Sequence, residues 1–404
     1  MGRLLFIAHR VPYPPNKGDK ISTFNMLKYF SGRHDVFFGA FVDDKSDWDH
    51  VGRVRALCQE AYFTGLQPSW RRLASLRGLL TGEPLTLPYY RDSGMRNWVA
   101  RVLEREQLDA VLIYSSALGQ YATKNVPSGV RVVFNIDDVD SEKWRAYARH
   151  KPFPMSWIYR REGRKLLQFE RLCAAEFDAT VLISAQEAEV FRDLAPEVAH
   201  KVFHRNQGVD TRFFDPALPY SNPYGPNERV LVFVGAMDYY PNIDAVTWFA
   251  KEAFPAVRAQ VPEAAFYIVG LNPADAVLRL AEQAGVTVTG AVPDVRPYVR
   301  HSVAACLPLR ISRGIQNKAI EAMALERPIL ASPAAMAGID TKGIYEPILA
   351  EDAKSFTAAA IQLVSNSPAS QPEARRCVLE RYDWETHLKR FEGILSGQVP
   401  SEGS

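Results

Sequence analysis

The sequence predicts an α/β protein made of two doubly wound parallel-sheet domains that face each other across a cleft. Short apolar runs alternate with helical segments through the first half of the 404 residues, and the same alternation restarts in the second half. A polar stretch with prolines at 216, 219, 223 and 226 separates the two halves. We therefore expect domains at residues 1–215 and 229–381, a linker at 216–228, and a terminal helix at 382–398 that crosses back to the first domain.

In the first half, short runs rich in β-branched and aromatic residues predict strands at 3–8, 36–42, 61–64, 110–114, 130–136, 179–183 and 202–204. Apolar residues at helical spacing predict helices at 20–29, 51–57, 70–80, 95–106, 144–171 (broken near Pro152 and Pro154) and 186–194. Ser184 stands three residues before Glu187, which is the spacing of a capping box and predicts the start of the last helix.

The second half repeats this pattern. Apolar runs predict strands at 229–234, 265–269, 286–289, 303–309 and 329–331. Helical spacing predicts helices at 244–254, 275–284, 295–301, 316–325, 355–364, 372–380 and 384–395. Strands that alternate with helices in this way form parallel sheets, whose ligands bind at the carboxyl ends of the strands.

The composition limits the partners and the cellular location that we expect for the protein. The net charge is +2, which gives no argument for nucleic acid as a partner. The four cysteines are far apart and form no metal-ligand pattern, as expected for reduced thiols in the cytoplasm. The apolar run at residues 1–8 is too short for the hydrophobic region of a signal peptide. No apolar stretch reaches the ~20 residues that span a bilayer. We expect a cytoplasmic protein, either soluble or peripheral to the inner membrane.

The segment 143–171 is basic and contains several aromatic residues. A basic helix with aromatic residues can lie on an anionic membrane surface. The alternative is an ordinary solvated face whose aromatic side chains pack inward.

The helix predicted at 316–325 has a polar face formed by Gly314, Asn317, Lys318 and Glu321, at positions i, i+3, i+4 and i+7. A glycine at the start of a helix leaves free backbone N–H groups for a diphosphate, and Lys318 adds a positive charge one turn later. Glu321 can accept hydrogen bonds from a ribose diol. The alternative is an ordinary surface helix with a Lys/Glu pair.

Five motifs together resemble the retaining glycosyltransferases of the GT-B fold, of the large family-four type. They are HRVPYPPNKGDK (9–20), DDVDSEKW (137–144), GVDTRFFDP (208–216), VGAMDYYPNIDAVTWF (234–249) and GIQNKAIEAMA (314–324). These motifs look most like the bacterial sugar transferases encoded with exosortase and exopolysaccharide systems. The family usually carries two glutamates with seven residues between them, and the first would fall at Arg313, so the sequence departs from the family there.

The resemblance implies a donor site for a nucleotide-diphosphate sugar in the second domain and an acceptor site in the first. The donor residues implied are Gly235, Asn242, Arg310, Arg313, Gly314, Ile315, Gln316, Asn317, Lys318 and Glu321. The acceptor loop would contain Arg10, Lys17, Gly18 and Asp19. The catalytic candidates are His9, Asp137 and Asp138, since a carboxylate at this place could orient the acceptor hydroxyl or take its proton.

Two alternatives remain for the acidic run at 137–140: capping of the next helix, or a divalent cation. The family usually needs no metal for chemistry, so we expect no required cofactor.

The resemblance implies transfer of a hexose from a nucleotide diphosphate to a glycan or polyprenyl-linked acceptor, with retention, in exopolysaccharide biosynthesis. Two other functions stay open on the same fold. One is a nucleotide-sugar epimerase or hydrolase, and the other is a non-catalytic relative that binds a nucleotide sugar.

Overall fold

The computed structural model describes residues 2–15, 18–66, 75, 77–123, 126–149, 151–205, 207–312, 315–366 and 370–398. The chain divides into two compact units. The first unit contains residues 1–206 and 385–404, and the second contains residues 207–384. Residues 216–228, which the sequence suggests as a linker, lie inside the second unit of this division.

The first unit is built on a seven-stranded sheet in which every neighbouring pair is parallel. Its strands are β1 (Gly2–Ala8), β2 (His34–Val42), β3 (Glu60–Gly65), β4 (Ala110–Tyr114), β5 (Arg131–Asp137), β6 (Ala179–Leu182) and β7 (Val202–His204). Their spatial order is β3-β2-β1-β4-β5-β6-β7. Strands in the middle of this sheet are buried along their length, as the continuous apolar runs predict.

Helices connect these strands. They are α1 (Gly18–Ser31), α2 (Val51–Arg55), α3 (Arg77–Thr81), α4 (Thr86–Tyr89), α5 (Ser93–Arg105), α6 (Asp140–Ala148), α7 (Met155–Glu176) and α8 (Ala185–Leu194). Short 3₁₀ segments occur at Lys45–His50, Ser116–Tyr121 and Pro196–Lys201. The predicted cap of α8 is confirmed, because the Ser184 hydroxyl accepts a hydrogen bond from the Glu187 N–H at 3.1 Å.

The second unit has a six-stranded parallel sheet. Its strands are β8 (Arg229–Val234), β9 (Ala264–Val269), β10 (Val286–Gly290), β11 (Ala304–Leu307), β12 (Ile329–Ala331) and β13 (Ile348–Leu349), in the order β10-β9-β8-β11-β12-β13. Its helices are α9 (Tyr240–Trp248), α10 (Phe254–Gln260), α11 (Asp275–Leu278), α12 (Arg296–His301), α13 (Asn317–Ala324), α14 (Pro333–Met336), α15 (Ala353–Asn366) and α16 (Pro372–Arg381). A last helix, α17 (Trp384–Leu395), returns the chain to the first unit.

In both units, the first strands along the chain are added at one edge of the sheet and the later strands at the opposite edge. The reversal falls between β1 and β4 in the first unit and between β8 and β11 in the second. Right-handed crossovers place the helices on one face before a reversal and on the other face after it. The carboxyl ends of the two strands therefore open on a crevice, which is where open α/β sheets bind ligands. The predicted fold class is confirmed.

Several predicted elements differ in detail. The helix expected at 244–254 begins earlier, at Tyr240, with Pro241 in its first turn, where a proline costs no hydrogen bond. It then runs through a π-helical turn, Phe249–Ala253, into α10. The helix expected at 275–284 is one α-turn followed by a 3₁₀ segment, Arg279–Glu282. Strand β13, only two residues long, is too short for periodicity to reveal. Residues 70–74 and 76 of the predicted helix 70–80 lie outside the described residues.

Each sheet is covered by its own apolar core. In the first unit, Phe134, Phe177 and Phe191 are fully or almost fully buried. In the second, Phe249, Phe254 and Phe266 form a buried aromatic group against the sheet. No helix in the described part of the chain has the length and apolar character needed to cross a membrane.

We predict that Gly270→Ala strongly destabilises the second unit. A Cβ at Gly270 would lie 1.7 Å from the Gly235 carbonyl oxygen and 2.7 Å from its carbon, and backbone atoms cannot move aside cheaply. Overpacking of this kind costs about 3 kcal/mol or more. Denaturant unfolding would measure the loss.

The matched control is Gly290→Ala. Gly290 also has a positive φ, 69°, but a Cβ there has no atom within 4 Å. We expect it to lose only the ~1–2 kcal/mol of a left-handed backbone. Equal losses in the two variants would show that the approach of Gly235 to Gly270 does not constrain the fold.

Candidate functional site

The crevice of the second unit is lined by the segments that follow β8 and β11. Gly235 comes directly after β8, and the segment after β11 leads into α13. Helix α13 buries Ile320 and Met323 and leaves Asn317, Lys318 and Glu321 on its partly exposed side. The predicted polar face is thus confirmed for these three residues. Gly314, its fourth member, lies outside the described residues.

Gly235, Asn242, Lys318 and Glu321 form what we name the lysine cluster. The Lys318 ammonium donates a hydrogen bond to the Asn242 side-chain oxygen at 2.7 Å. The Asn242 side-chain N–H₂ group donates in turn to the Ala236 carbonyl at 2.9 Å, so the backbone after β8 sets the orientation of the amide. The same ammonium lies 4.4 Å from the centre of the Phe233 ring. Lys318 is therefore held at the mouth of the crevice.

Gly235 completes the cluster by having no side chain. A Cβ at this position would come within 2.8 Å of the Asn242 amide nitrogen and 3.3 Å of the Lys318 ammonium. Glycine therefore leaves room for both polar groups beside the end of β8.

The electrostatics of the cluster are unusual. Burial lowers the pKa of Lys318 from 10.5 to about 7, although the charge of Glu321 opposes this shift. Burial also raises the pKa of Glu321 from 4.5 to about 7, although the charge of Lys318 opposes that shift. Each group gains too little from the other to offset its loss of hydration. Perturbed groups of this kind concentrate at functional sites.

The remaining predicted donor residues have different environments. Arg310 forms an ion pair with Asp244 and lies 5.9 Å from the centre of the Trp248 ring, so its charge is already compensated. Gln316 donates to the Ser312 hydroxyl at 3.0 Å, and Ile315 packs partly buried against the core. The Asn317 side-chain oxygen is buried and has no hydrogen-bond partner among the described residues. Arg313 lies outside the described residues, as does Lys17 of the acceptor loop.

The crevice of the first unit is lined by a histidine cluster of His9, Arg10, Asp19 and Asp43. His9 follows β1, and its Nε2 lies 3.0 Å from the Asp19 carboxylate in the first turn of α1. Arg10 lies 3.2 Å from the same carboxylate and 3.5 Å from Asp43. The predicted loop residue Gly18 is the first residue of α1. His9, Arg10 and Asp19 are thus brought together as one group.

The cluster fixes the state of the His9 ring. Burial tends to raise the pKa of Asp19, but the His9 hydrogen bond and the charges of His9 and Arg10 outweigh it and hold the pKa well below its ordinary value. Asp19 is therefore ionised and can only accept, so Nε2 of His9 donates. The ring stacks on Tyr114, with 5.9 Å between centroids and 14° between planes. Its Nδ1 atom is buried with no hydrogen-bond partner among the described residues.

Asp137 sits in a buried network at the end of β5. Its carboxylate accepts from Arg205 at 2.5 Å, from Asn135 at 2.8 Å and from the Tyr114 hydroxyl. Its φ of 55° is in the left-handed region, which costs a non-glycine residue about 1–3 kcal/mol. Three donors on one carboxylate leave few lone pairs for an acceptor hydroxyl.

Asp138 and Asp140 have other partners. Lys143 lies 2.9 Å from Asp138 and 3.1 Å from Asp140, and Ser116 donates to Asp140 at 2.8 Å. The alternative that this run caps the next helix is not what the structure contains, because Val139 is the N-cap of α6 and makes no side-chain cap. No group of three His, Cys, Asp or Glu side chains in the described ranges could hold a metal ion.

Sequence reasoning missed four residues that belong to the histidine cluster or to the hydrogen-bond network around Asp137. Asp43 follows β2, Tyr114 ends β4, Asn135 lies in β5 and Arg205 follows β7. All but Asn135 are at or just after the carboxyl end of a parallel strand, and that position is the signal that could have identified them. Asp43, Tyr114 and Arg205 have partners that are 23–70 residues away in the chain, so spacing alone could not pair them.

Part of the second unit is similar in sequence to a known family of enzymes. Residues 228–366 match the family model of glycosyl transferases group 1. This stretch contains the whole lysine cluster, and it covers about a third of the chain. No curated protein sequence matches the chain.

Solved structures share the fold over nearly the whole chain. HepE of Anabaena, in complex with UDP and glucose, has a TM-score of 0.65 and 13% identity, covering 98% of this chain and 100% of HepE. Sucrose-phosphate synthase of Thermosynechococcus elongatus has a TM-score of 0.65 and 15% identity, covering 98% of each chain. A glycosyltransferase of Rickettsia africae has a TM-score of 0.65 and 12% identity, covering 99% of each chain. The two-domain α/β architecture is therefore that of GT-B proteins.

We predict that the lysine cluster lowers stability most near pH 7. Lys318 has a folded pKa below its ordinary value, so its cost is complete below pH 7 and fades as the pH rises toward 10.5. Glu321 has a raised pKa, so its cost is absent below pH 4.5 and complete above pH 7. The double variant Lys318→Met/Glu321→Gln should therefore exceed the wild type in unfolding free energy, most of all near pH 7.

Urea unfolding at about pH 5, 7 and 9 would measure this difference. Glu321→Gln alone should remove the decrease in unfolding free energy between pH 5 and 7. Lys318→Met alone should remove the increase in unfolding free energy between pH 7 and 9. A difference in unfolding free energy between the double variant and wild type that stays the same from pH 5 to 9 would contradict the proposed burial of both charges.

Proposed function

We propose that the protein is a glycosyltransferase that moves a sugar from a nucleotide diphosphate to an acceptor hydroxyl. The observation that carries this proposal is the lysine cluster at the crevice between β8 and β11, within the stretch that matches the group 1 model. The structures of HepE in complex with UDP and with UDP-glucose support a nucleotide-sugar donor.

The lysine cluster has the chemistry that a diphosphate needs. A bound diphosphate brings negative charge beside Lys318 and raises its pKa, so the ammonium is protonated when the donor is present. Asn242 then keeps the ammonium in place by its 2.7 Å hydrogen bond. When the bond from sugar to phosphate breaks, negative charge grows on the leaving diphosphate, and a fixed ammonium stabilises that charge. Glu321 is proposed to accept hydrogen bonds from the ribose hydroxyls.

The first unit is proposed to hold the acceptor and the residues that handle its proton. Among His9, Asp137 and Asp138, His9 is the best supported as a base, because its Nδ1 has no partner among the described residues and its Nε2 is held by Asp19. Asp137 already accepts from three donors, so we assign it to positioning. Asp138 pairs with Lys143 and is a weaker candidate. Arg10, Lys17 and Gly18 are proposed to surround the acceptor.

The finer features of the function rest on the five motifs. They support transfer of a hexose with retention of configuration and without a required metal. They also support a glycan or polyprenyl-linked acceptor in exopolysaccharide biosynthesis, at the cytoplasmic side of the inner membrane. The donor residues proposed beside the lysine cluster are Arg310, Arg313, Gly314, Ile315, Gln316 and Asn317.

A panel of nucleotide sugars tests the function. Purified protein is titrated by calorimetry with UDP-, GDP-, ADP- and dTDP-sugars, and turnover is then assayed with lipid-linked acceptors. We expect binding of one nucleotide class. Lys318→Met should weaken binding of the nucleoside diphosphate by about 1.5–3 kcal/mol and leave binding of the free nucleoside unchanged, because only the diphosphate needs the charge. Glu321→Ala should weaken binding of both ligands by about 1–3 kcal/mol.

Arg310→Met is the control in the same unit, since its charge is already paired with Asp244. It should change diphosphate binding less than Lys318→Met does. Absence of binding to any of the four classes would refute the transferase, and binding with hydrolysis or epimerisation but no transfer would replace it with the alternative activities.

We predict different kinetic effects in the first unit. His9→Gln should lower kcat by about 10²–10⁴, the range for loss of a general base, with little change in donor KM. Asp137→Asn should instead lower stability, since the Arg205 charge, 2% exposed at its side chain, loses its ionised partner. Steady-state kinetics and thermal unfolding measure the two effects. Full activity in His9→Gln would show that His9 is not the general base.

A further inference from the structure

The helical hairpin formed by α6 and α7 carries an exposed apolar tip. Phe153 is 80% exposed, Tyr147 55%, Trp157 51% and Met155 38%. These residues lie within eleven positions of the chain, at the end of α6, in the connection and in the first turn of α7. Large apolar side chains exposed together in this way mark an interaction surface.

The same tip is strongly basic. Residues 143–161 include six lysines and arginines and no aspartate or glutamate, whereas the whole chain has a net charge of only +2. Arg149, Lys151, Arg160 and Arg164 are exposed, and none has an ion pair among the described residues. The partner of the tip must therefore accept both apolar side chains and positive charge.

The hairpin is fixed firmly to the rest of the first unit. Near the tip, the buried Glu162 carboxylate accepts from the backbone of Leu85 and Thr86 at 2.6 and 2.9 Å. The buried Arg161 guanidinium donates to the Gly78 carbonyl at 2.6 Å. A Cβ at Gly163 would meet the Ser141 carbonyl oxygen at 2.8 Å, so the two helices touch there. The tip is thus presented on a rigid support.

Further along α7, Glu170 adds a second attachment. It accepts from the Ser141 hydroxyl at 2.6 Å and the Ser116 hydroxyl at 3.0 Å. The inward face of α7 therefore combines hydrogen-bonded polar groups with apolar core residues such as Leu166 and Cys173. The exposed aromatic residues at its start have no such role in the fold.

We infer that residues 147–149 and 151–164 form a membrane-docking surface for anionic phospholipids. The apolar side chains of Tyr147, Phe153, Met155 and Trp157 insert at the headgroup boundary, and the exposed arginines and lysine lie against lipid phosphates. A nucleic acid would satisfy the charge but would leave Phe153 and Met155 in water. The inference deepens the membrane association included in the proposed function, and it rests on that proposal only for its biological purpose.

Vesicle sedimentation tests the docking surface with the full-length protein and no donor or acceptor. Wild type should bind vesicles of about one-third phosphatidylglycerol in phosphatidylcholine, and it should bind pure phosphatidylcholine at least about tenfold more weakly. Raising NaCl from about 0.1 M to about 0.5 M should weaken binding, because salt screens the arginines and lysine.

Two sets of variants separate the contributions. Phe153→Ser/Trp157→Ser should lose at least about tenfold in partitioning with an unchanged thermal midpoint, because both side chains are exposed. Arg149→Gln/Lys151→Gln should lose about as much and show a weaker salt dependence, because Arg160 and Arg164 remain. Leu172→Ser, equally exposed but at the far end of α7, is the apolar control, and Lys251→Gln/Lys354→Gln is the charge control. Both controls should bind like wild type.

Three results would overturn the inference. One is equal binding by Phe153→Ser/Trp157→Ser and wild type. Another is binding of single-stranded RNA, but not of vesicles, that these substitutions abolish. The third is a wild-type dimer in solution that the same substitutions convert to monomer. None of these depends on nucleotide binding, which calorimetry measures separately, so a failure here is distinguishable from a failure of the transferase proposal.

Discussion

The reversal of strand order in each parallel sheet is the constraint on which both candidate sites depend. Helices that precede the reversal cover one face and those that follow it cover the other, so the ends of two central strands are left open. In the second unit these ends present Gly235 and the segment that leads to Lys318. In the first unit they present His9 and Tyr114. The chemistry of each cluster is local, but its place in the fold follows from topology.

The lysine cluster illustrates how a binding site lowers stability. An ammonium held beside a phenylalanine ring and bonded to one amide oxygen has lost more water than its neighbours replace. The lowered pKa of Lys318 and the raised pKa of Glu321 are two expressions of that deficit. Under the proposed function, a diphosphate and a ribose diol would supply the missing partners. The free energy that is absent from folding would then be available for binding.

Most of the fold could be predicted because buried parallel strands are short apolar runs with few alternatives. The polar face of α13 could be predicted for a similar reason, since a helical face depends only on residues three and four apart. The His9–Asp19 pair is within reach of such local reasoning, but the Asp137–Arg205 pair is not. Arg205 is 68 residues from Asp137, and only the order of β5, β6 and β7 brings them together. Strand β13, with two residues, is too short to show a period, and the π-helical turn lies between two α-helices, so apolar spacing does not distinguish it from them.

The basic segment 143–171 shows why composition cannot assign a surface. Arg161 and Arg160 are adjacent in the chain and identical in charge, yet Arg161 is buried on backbone carbonyls and Arg160 is exposed. The difference arises because a helix turns by about 100° per residue, so neighbouring side chains face different environments. The segment therefore contains residues that pack inward and residues that are exposed, and only the exposed ones belong to the proposed membrane contact. Trp144 packs against Tyr159, whereas Phe153 and Trp157 face outward. Buried polar residues of the hairpin fix it to the rest of the unit, so the exposed apolar side chains are not needed for its attachment.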